Sequence, residues 1–287
     1  MIRALDPEVG VALEHAGLRA RACLDVTTIR FPTFRRATYR IELDSGETIK
    51  ARCLEDASSA RRLFEIRRHI PDAFVPAFDH HGRVLLERWV HGQVLGHTRP
   101  DAAQLVEAGV LLASLHATSV VTEPVAQGDG TSAWRLKTES GLQTLVEAGA
   151  LDAPEAQSLG RTLVRADPGR ASVGLGHFDF CGENMVIDCA GRVRVFDNER
   201  VGVGPLGFDL ARAWYRWGLP ARAWTVFQRS YAANAVPDER PAHFAFWCVV
   251  VLVHSACLRL RTGRSHLSVP IGRLRRMATA ASGEAAR

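Results

Sequence analysis

The chain has 287 residues, 47% hydrophobic and 23% charged, which fits an ordinary globular protein of about two domains or lobes and excludes disordered, collagen-like and coiled-coil classes. The six cysteines (Cys23, Cys53, Cys181, Cys189, Cys248, Cys257) are scattered without a C-x-x-C pair, which argues against a disulfide scaffold or a zinc cluster. The net charge is +5, and of 36 Lys and Arg residues only Lys50 and Lys137 are lysines; such a skew follows from genomic base composition and does not by itself predict a nucleic-acid partner.

The first residues, MIRALDPEVG, hold no apolar run of the secretory type, so a cytoplasmic location is expected. Asp6 to Leu24 reads as a helix. From Arg36 the side chains alternate, with Ala37, Tyr39, Ile41 and Leu43 on one face, as in a half-buried strand. Asp44-Ser45-Gly46 is a turn signal, and Thr48 to Cys53 returns as the second strand of a hairpin. Glu55 to Ile70 carries Leu63, Ile66 and Ile70 on one helical stripe. Two short strands follow, Phe74–Phe78 and Val84–Arg88. These elements make a small α+β unit, residues 1–91.

Beyond it, residues 92–287 read as mostly helical. Helices are expected over Pro100–His116, Ser132–Glu147 and Pro154–Arg165, the last with Asp152 as N-cap and Glu155 three residues on. A strand, a loop and a hairpin span Val173–Asp197, and everything from Asp209 on is helical. The longest apolar run, Phe244–Val253, stops at His254 and is shorter than a bilayer span, so no membrane partner is expected.

The chemistry concentrates in His177-Phe178-Asp179-Phe180-Cys181-Gly182-Glu183-Asn184 and in Val195-Phe196-Asp197 beyond the hairpin turn. The two strands bring Asn184 and Asp197 to the same end of that hairpin. An amide oxygen and a carboxylate are hard donors that suit Mg²⁺, with phosphate oxygens filling the remaining positions. Asp179 is then left to orient an attacking hydroxyl and accept its proton. These are the parts of a phosphoryl transfer. Asp188, in the turn, is a solvated turn former. Asp209 stands where it either caps a helix or braces the loop, and His177 reads as a structural histidine.

His177-x-Asp179-x-x-x-x-Asn184 followed by Asp197 resembles the catalytic core of the aminoglycoside phosphotransferase and choline kinase families. Gly207-Phe208-Asp209-Leu210-Ala211 and Leu111-Leu112-Ala113-Ser114-Leu115-His116 are similar to further segments of those families, so the likeness covers about Thr27 to Trp217. It implies a bilobal protein-kinase-like fold of α+β class, with a small sheet-plus-helix N-lobe and a mostly helical C-lobe. It also implies an ATP-dependent phosphotransferase, GTP remaining open, that uses Mg²⁺ held by Asn184 and Asp197 and takes Asp179 as its base, with His177 and Asp209 supporting the loop. Lys50 would contact the α/β-phosphates and pair with Glu65 on the following helix; a surface salt bridge in an arginine-rich helix is the alternative. Leu85-Leu86-Glu87-Arg88-Trp89-Val90-His91-Gly92 resembles the families' hinge, whose backbone would bind the base, so the resemblance implies Glu87, Trp89 and Val90 there.

The turn Phe31–Arg36, where the resemblance implies a phosphate-covering loop, has no glycine. That leaves open a protein of this fold that binds partners without turning over, and Arg35 or Arg36 would have to substitute electrostatically. From Pro205 to Arg287, twelve arginines stand against four acids, so the expected acceptor is a small hydroxylated molecule that is neutral or anionic rather than polycationic. An aromatic cage for a quaternary amine would have to come from Trp214, Tyr215 and Trp217, which also read as core.

Overall fold

The computed structural model describes residues 6–27, 36–70, 74–118, 130–196, 199–235, 243–263 and 266–285. In chain order the described elements begin with α1 (Pro7–His15), β1 (Ala20–Asp25), β2 (Ala37–Leu43), β3 (Thr48–Cys53), α2 (Ala57–His69), β4 (Ala77–His81), β5 (Val84–Arg88), β6 (Gly92–Val94) and α3 (Ala102–Ala117). They continue with α4 (Ser132–Glu147), α5 (Ala153–Arg165), β7 (Val173–Gly176), β8 (Met185–Asp188), β9 (Val193–Val195), β10 (Gly202–Pro205), α6 (Leu206–Trp217), α7 (Ala221–Asn234), α8 (Phe244–Thr262) and α9 (Ser268–Ala285). Contacts group residues 1–111 with 181–201 in one compact unit, and 112–180 with 202–287 in another. The hairpin β8–β9, which the sequence places with the helical part, therefore packs with the first unit.

In the first unit five antiparallel strands run in the order β1-β2-β3-β5-β4. The long opening helix expected from the sequence is cut short. Helix α1 gives way to Gly17, whose φ of +69° lies in the left-handed region that only glycine enters without strain. The residues beyond it form β1, with Cys23 opposite Ile41 and Asp25 opposite Tyr39. Pairing with a formed sheet edge overrides the helical content of Ala20 to Leu24. Strand β4 likewise starts later than expected, at Ala77, and Phe74 stands before it in an isolated bridge to Val195. The inner residues of α1, β2, β3 and β5, among them Val9, Leu13, Ile41, Ile49 and Leu86, close one core. A three-stranded sheet, β6-β8-β9, completes the unit.

In the second unit α8 is the central element, packed against α4, α5, α6 and α9. Its sequence explains its place, because residues 246–253 are all buried. The helix runs on past His254 to Thr262; by length and composition alone, nineteen residues of mean hydropathy 1.6, it could cross a membrane, but 56% of that apolar window is buried inside the protein, as in a core helix. Helix α5 begins with the expected capping box, in which Glu155 N–H donates to Asp152 (2.7 Å) and Asp152 N–H to Glu155 (2.9 Å), an arrangement typically contributing about 1 kcal/mol. Strands β7 and β10 pair antiparallel, and β10 leads directly into α6. This short ladder carries the loop that follows β7.

Candidate active site

In the first unit the chemistry starts on β3. Period-two alternation puts Lys50 and Arg52 on one face, and the β3–β5 register sets Glu87 directly across from Lys50. Lys50 Nζ lies 3.3 Å and Arg52 Nε 3.8 Å from Glu87 Oε2, while Arg67, from α2, hydrogen-bonds Glu87 Oε1. Glu87 is fully buried. Burial alone would raise its carboxyl, but the charges of Arg67, Lys50 and Arg52 and the hydrogen bond from Arg67 outweigh that and bring it down to about 2.

The carboxylate buried beside Lys50 is thus Glu87, not Glu65. Glu65 is exposed on α2, and the helix residue that reaches the cluster is an arginine, Arg67. Strand register alone brings Glu87 to Lys50, and α2 adds a further cation, Arg67, to the same carboxylate. The other hinge residues, Trp89 and Val90, are half-buried, and Trp89 N–H donates to Thr48 O at 3.3 Å.

Lys50 and Arg52 also reach past Glu87. Lys50 Nζ is 3.5 Å and Arg52 Nη2 3.3 Å from the carbonyl oxygen of Phe196, and Lys50 sits over the Phe196 ring. Arg52 Nη1 is 3.7 Å from Glu199, which also pairs with Arg36. Phe196 N–H in turn donates to Asn184 O at 3.0 Å. The open end of the β8–β9 hairpin is therefore tied both to the strand cations and to the turn Gly182–Asn184. That turn is backed by Gly96, where a Cβ would lie 2.6 Å from Glu183 N. The side chain of Asn184 is buried. Asp197 and the turn Phe31–Arg35 lie outside the described residues. Among the described residues no cluster of three or more His, Cys, Asp or Glu could hold a metal ion. The buried amide of Asn184 and, two residues beyond β9 in sequence, the carboxylate of Asp197 are hard oxygen donors of the kind that suits Mg²⁺ with phosphate oxygens completing its shell.

In the second unit the loop after β7 is held from α6. Asp209, fully buried, accepts from the backbone N–H of His177 (2.6 Å) and of Phe178 (2.8 Å), and from His116 Nε2 (3.1 Å), whose other ring nitrogen hydrogen-bonds Tyr231 OH. Burial pushes Asp209 upward, but the hydrogen bond from His116, the charges of His116 and His177 and the His177 N–H leave its carboxyl below the usual range. Asp209 is in the first turn of α6, whose N-cap is Pro205; it braces the loop and caps no helix.

Two N–H groups drawn onto one carboxylate turn the chain sharply. Phe178 adopts φ +56°, an uncommon and costly conformation for an aromatic residue. Its ring rests where β7 and β10 have glycines: a Cβ on Gly176 or Gly204 would lie 2.7 or 2.6 Å from it. Next in sequence, Asp179 N–H donates to His177 Nδ1 (3.3 Å). The carboxylate of Asp179 receives Arg212 Nη2 and Arg216 Nε, both at 3.1 Å and both on Oδ1.

Sequence reasoning counted Arg212 and Arg216 only as bulk charge. Their spacing from Asp209, three and seven residues, puts all three on one face of α6, and that spacing is the sequence signal that links them to the loop. The three rings considered for a cage are engaged separately. Trp214 stacks with Arg273, Tyr215 is buried and hydrogen-bonded to Ser255, and Trp217 packs on Phe180 and Phe227.

Residues 34–244 match the sequence profile of the phosphotransferase enzyme family, abbreviated APH. No curated protein sequence matches the chain. Among solved structures it is similar to a type I macrolide 2'-phosphotransferase (16% identity, 96% of this chain and 98% of that one, TM-score 0.65). It is also similar to a spectinomycin phosphotransferase in complex with ADP and spectinomycin (10% identity, 98% and 99%, TM-score 0.65). A third is a choline kinase from Cryptosporidium parvum (11% identity, 91% and 89%, TM-score 0.60). The fold is that of these kinase-like proteins, a small antiparallel sheet with α2 followed by a helical region, as the α+β bilobal reading expected.

Proposed function

The chain belongs to the phosphotransferase enzyme family, and we propose that it transfers the γ-phosphoryl group of ATP to a hydroxyl of a small molecule, with Asp179 as the base. The observation that carries this reading is the loop His177–Asp179, pinned to buried Asp209 through two backbone N–H groups. A base must be held within a fraction of an ångström to be useful, and here a strained backbone is fixed immediately before the carboxylate.

Each residue then has a task. Lys50, steadied by Glu87, meets the phosphates, and Arg52 on the same face adds a second cation. The nucleotide base is assigned to the hinge; Trp89 N–H already donates within the sheet, which favours Val90 as the backbone contact. Asn184 and Asp197 would hold Mg²⁺, which when bound supplies charge neutralisation between the phosphates. The acceptor hydroxyl donates to Asp179 and attacks the γ-phosphorus in line. As the new O–P bond forms, the bond to the β-phosphate oxygen breaks, the hydroxyl proton passes to Asp179 and ADP leaves. The spectinomycin phosphotransferase complex holds ADP, which supports a nucleotide donor here. The reading is tested by coupled measurement of ADP release with Mg²⁺–ATP and a panel of hydroxylated acceptors. Absence of Mg²⁺–ATP binding by calorimetry would overturn it.

A further inference from the structure

We infer that Arg212 and Arg216 make this site selective for an anionic acceptor, a small molecule that carries a carboxylate or phosphate close to the hydroxyl it presents to Asp179. This deepens the phosphotransferase reading above and rests on it. Both guanidiniums meet the same oxygen of Asp179, at 3.1 Å, from positions one helical turn apart on α6. Arg212 is largely buried, with its side chain 12% exposed, whereas Arg216 is 32% exposed. One cation is therefore fixed beneath the carboxylate, and the other borders solvent.

A hydroxyl that donates to Asp179 has to come within about 3 Å of that carboxylate, and so within reach of the two groups already hydrogen-bonded to it. A carboxylate on the carbon bearing the hydroxyl, or on its neighbour, then meets a planar donor pair suited to bidentate anion recognition. An ammonium in the same place meets like charge in a partly desolvated site, which rejects it. The arrangement also couples binding to chemistry. An anionic group that engages Arg216 competes with Asp179 for that guanidinium and loosens its hold on Oδ1, which raises the basicity of the carboxylate that is to take the hydroxyl proton. A neutral polyol has no such lever. Helix α6 fixes all of this relative to the loop, because Asp209 on the same face of that helix anchors His177 and Phe178.

The test uses matched acceptors with Mg²⁺–ATP: D-glycerate against glycerol, D-gluconate against D-glucose, glycerol 3-phosphate against glycerol, with choline and kanamycin as cations. The expected result is a kcat/KM at least tenfold higher for an anionic member than for its neutral partner, and no turnover of the cations. The carboxylate and phosphate arms distinguish the two anions. Arg216→Gln should raise KM for the anionic acceptor tenfold or more and abolish the preference, and Arg216→Lys should restore part of it; Arg212→Lys serves where Arg212→Gln does not fold. If no acceptor in the panel turns over, calorimetry in the presence of Mg²⁺–ADP decides. Binding of an anionic probe that Arg216→Gln weakens supports the inference, and failure of all three anionic probes to bind overturns it. Turnover that favours glycerol, glucose, choline or kanamycin, or an anion preference unchanged in Arg216→Gln, also overturns it while leaving the phosphotransferase reading intact. Loss of that reading shows separately, as a wild-type protein that does not bind Mg²⁺–ATP.

Discussion

Lys50 and Glu87 face each other across the β3–β5 ladder and form an ion pair at 3.3 Å, with Glu87 fully buried. The pair is fixed by two strands, so its geometry does not depend on where a helix sits. Arg67 attaches α2 to the same carboxylate, which makes Glu87 the joint between the sheet, the helix and the two cations of β3.

Replacing that carboxylate by an amide keeps the shape and removes the charge. Glu87→Gln leaves Lys50, Arg52 and Arg67 crowded around a neutral group in a buried place, and breaking a buried pair from one side typically costs about 3–5 kcal/mol. We expect a marked fall in the thermal unfolding midpoint and a weaker Kd for Mg²⁺–ATP, while Glu65→Gln leaves both near wild type. An unchanged Kd for Glu87→Gln together with a weakened one for Glu65→Gln would return the clamp to α2.

The same group predicts an acid limb. The Glu87 carboxyl is depressed from 4.5 to about 2 in the folded protein, and that of Asp209 is also held below its usual range. A carboxyl whose folded value is lowered contributes stability above its unfolded value and loses it as the pH falls toward the folded one. Stability measured by urea unfolding should therefore be level above about pH 5 for these two groups and decline from about 4.5 toward 2. Glu87→Gln should flatten part of that decline; a slope identical to wild type would show that Glu87 is not the titrating group.

The loop carrying Asp179 depends on two glycines that touch no substrate. A methyl group on Gly204 would stand 2.6 Å from the Phe178 ring, so Gly204→Ala must displace the ring or the strand, at about 1–3 kcal/mol for an overpacked site. Because Phe178 immediately precedes Asp179, kcat should fall by about tenfold to a hundredfold while Mg²⁺–ATP affinity changes little. Adding Phe178→Leu to Gly204→Ala should recover stability beyond the sum of the single changes. Simple additivity would mean that the ring and the glycine do not meet.

How far the sequence discloses this arrangement depends on the range of the interactions involved. The β2–β3 hairpin, α2 and the capping box of α5 are local, set by alternation, a turn and a cap, and all could be read directly. Residues 20–25 could not, because their state is decided by pairing with Ile41 and Tyr39 rather than by their own composition. The motif spanning Asp179 and Asn184 was visible from spacing alone. The partner of Lys50 was not, since register between β3 and β5 depends on the whole sheet. Arg212 and Arg216 vanished into an arginine-rich background, although their helical phase with Asp209 was present. The glycines under Phe178 have no signature until a ring is seen resting on them.

Asp179→Asn is the most direct test of the chemistry. Asparagine keeps the size of the side chain and one oxygen able to accept from Arg212 or Arg216, so α6 and the loop should stay in place, and the thermal midpoint should fall less than in Glu87→Gln because Asp179 and Arg216 are partly exposed. Its amide cannot take a proton from the acceptor hydroxyl. The loss of a positioned general base is typically about 10²–10⁴ in rate, and if Asp179 is the proposed base the effect should fall on kcat, because in that role it meets the acceptor rather than the nucleotide. Mg²⁺–ATP should still bind with near wild-type Kd in calorimetry. A variant that turns over at the wild-type rate would remove Asp179 from the reaction. One that loses Mg²⁺–ATP binding with its fold intact would make Asp179 part of the nucleotide site instead, and Arg212 and Arg216 would then be read as groups that position it there.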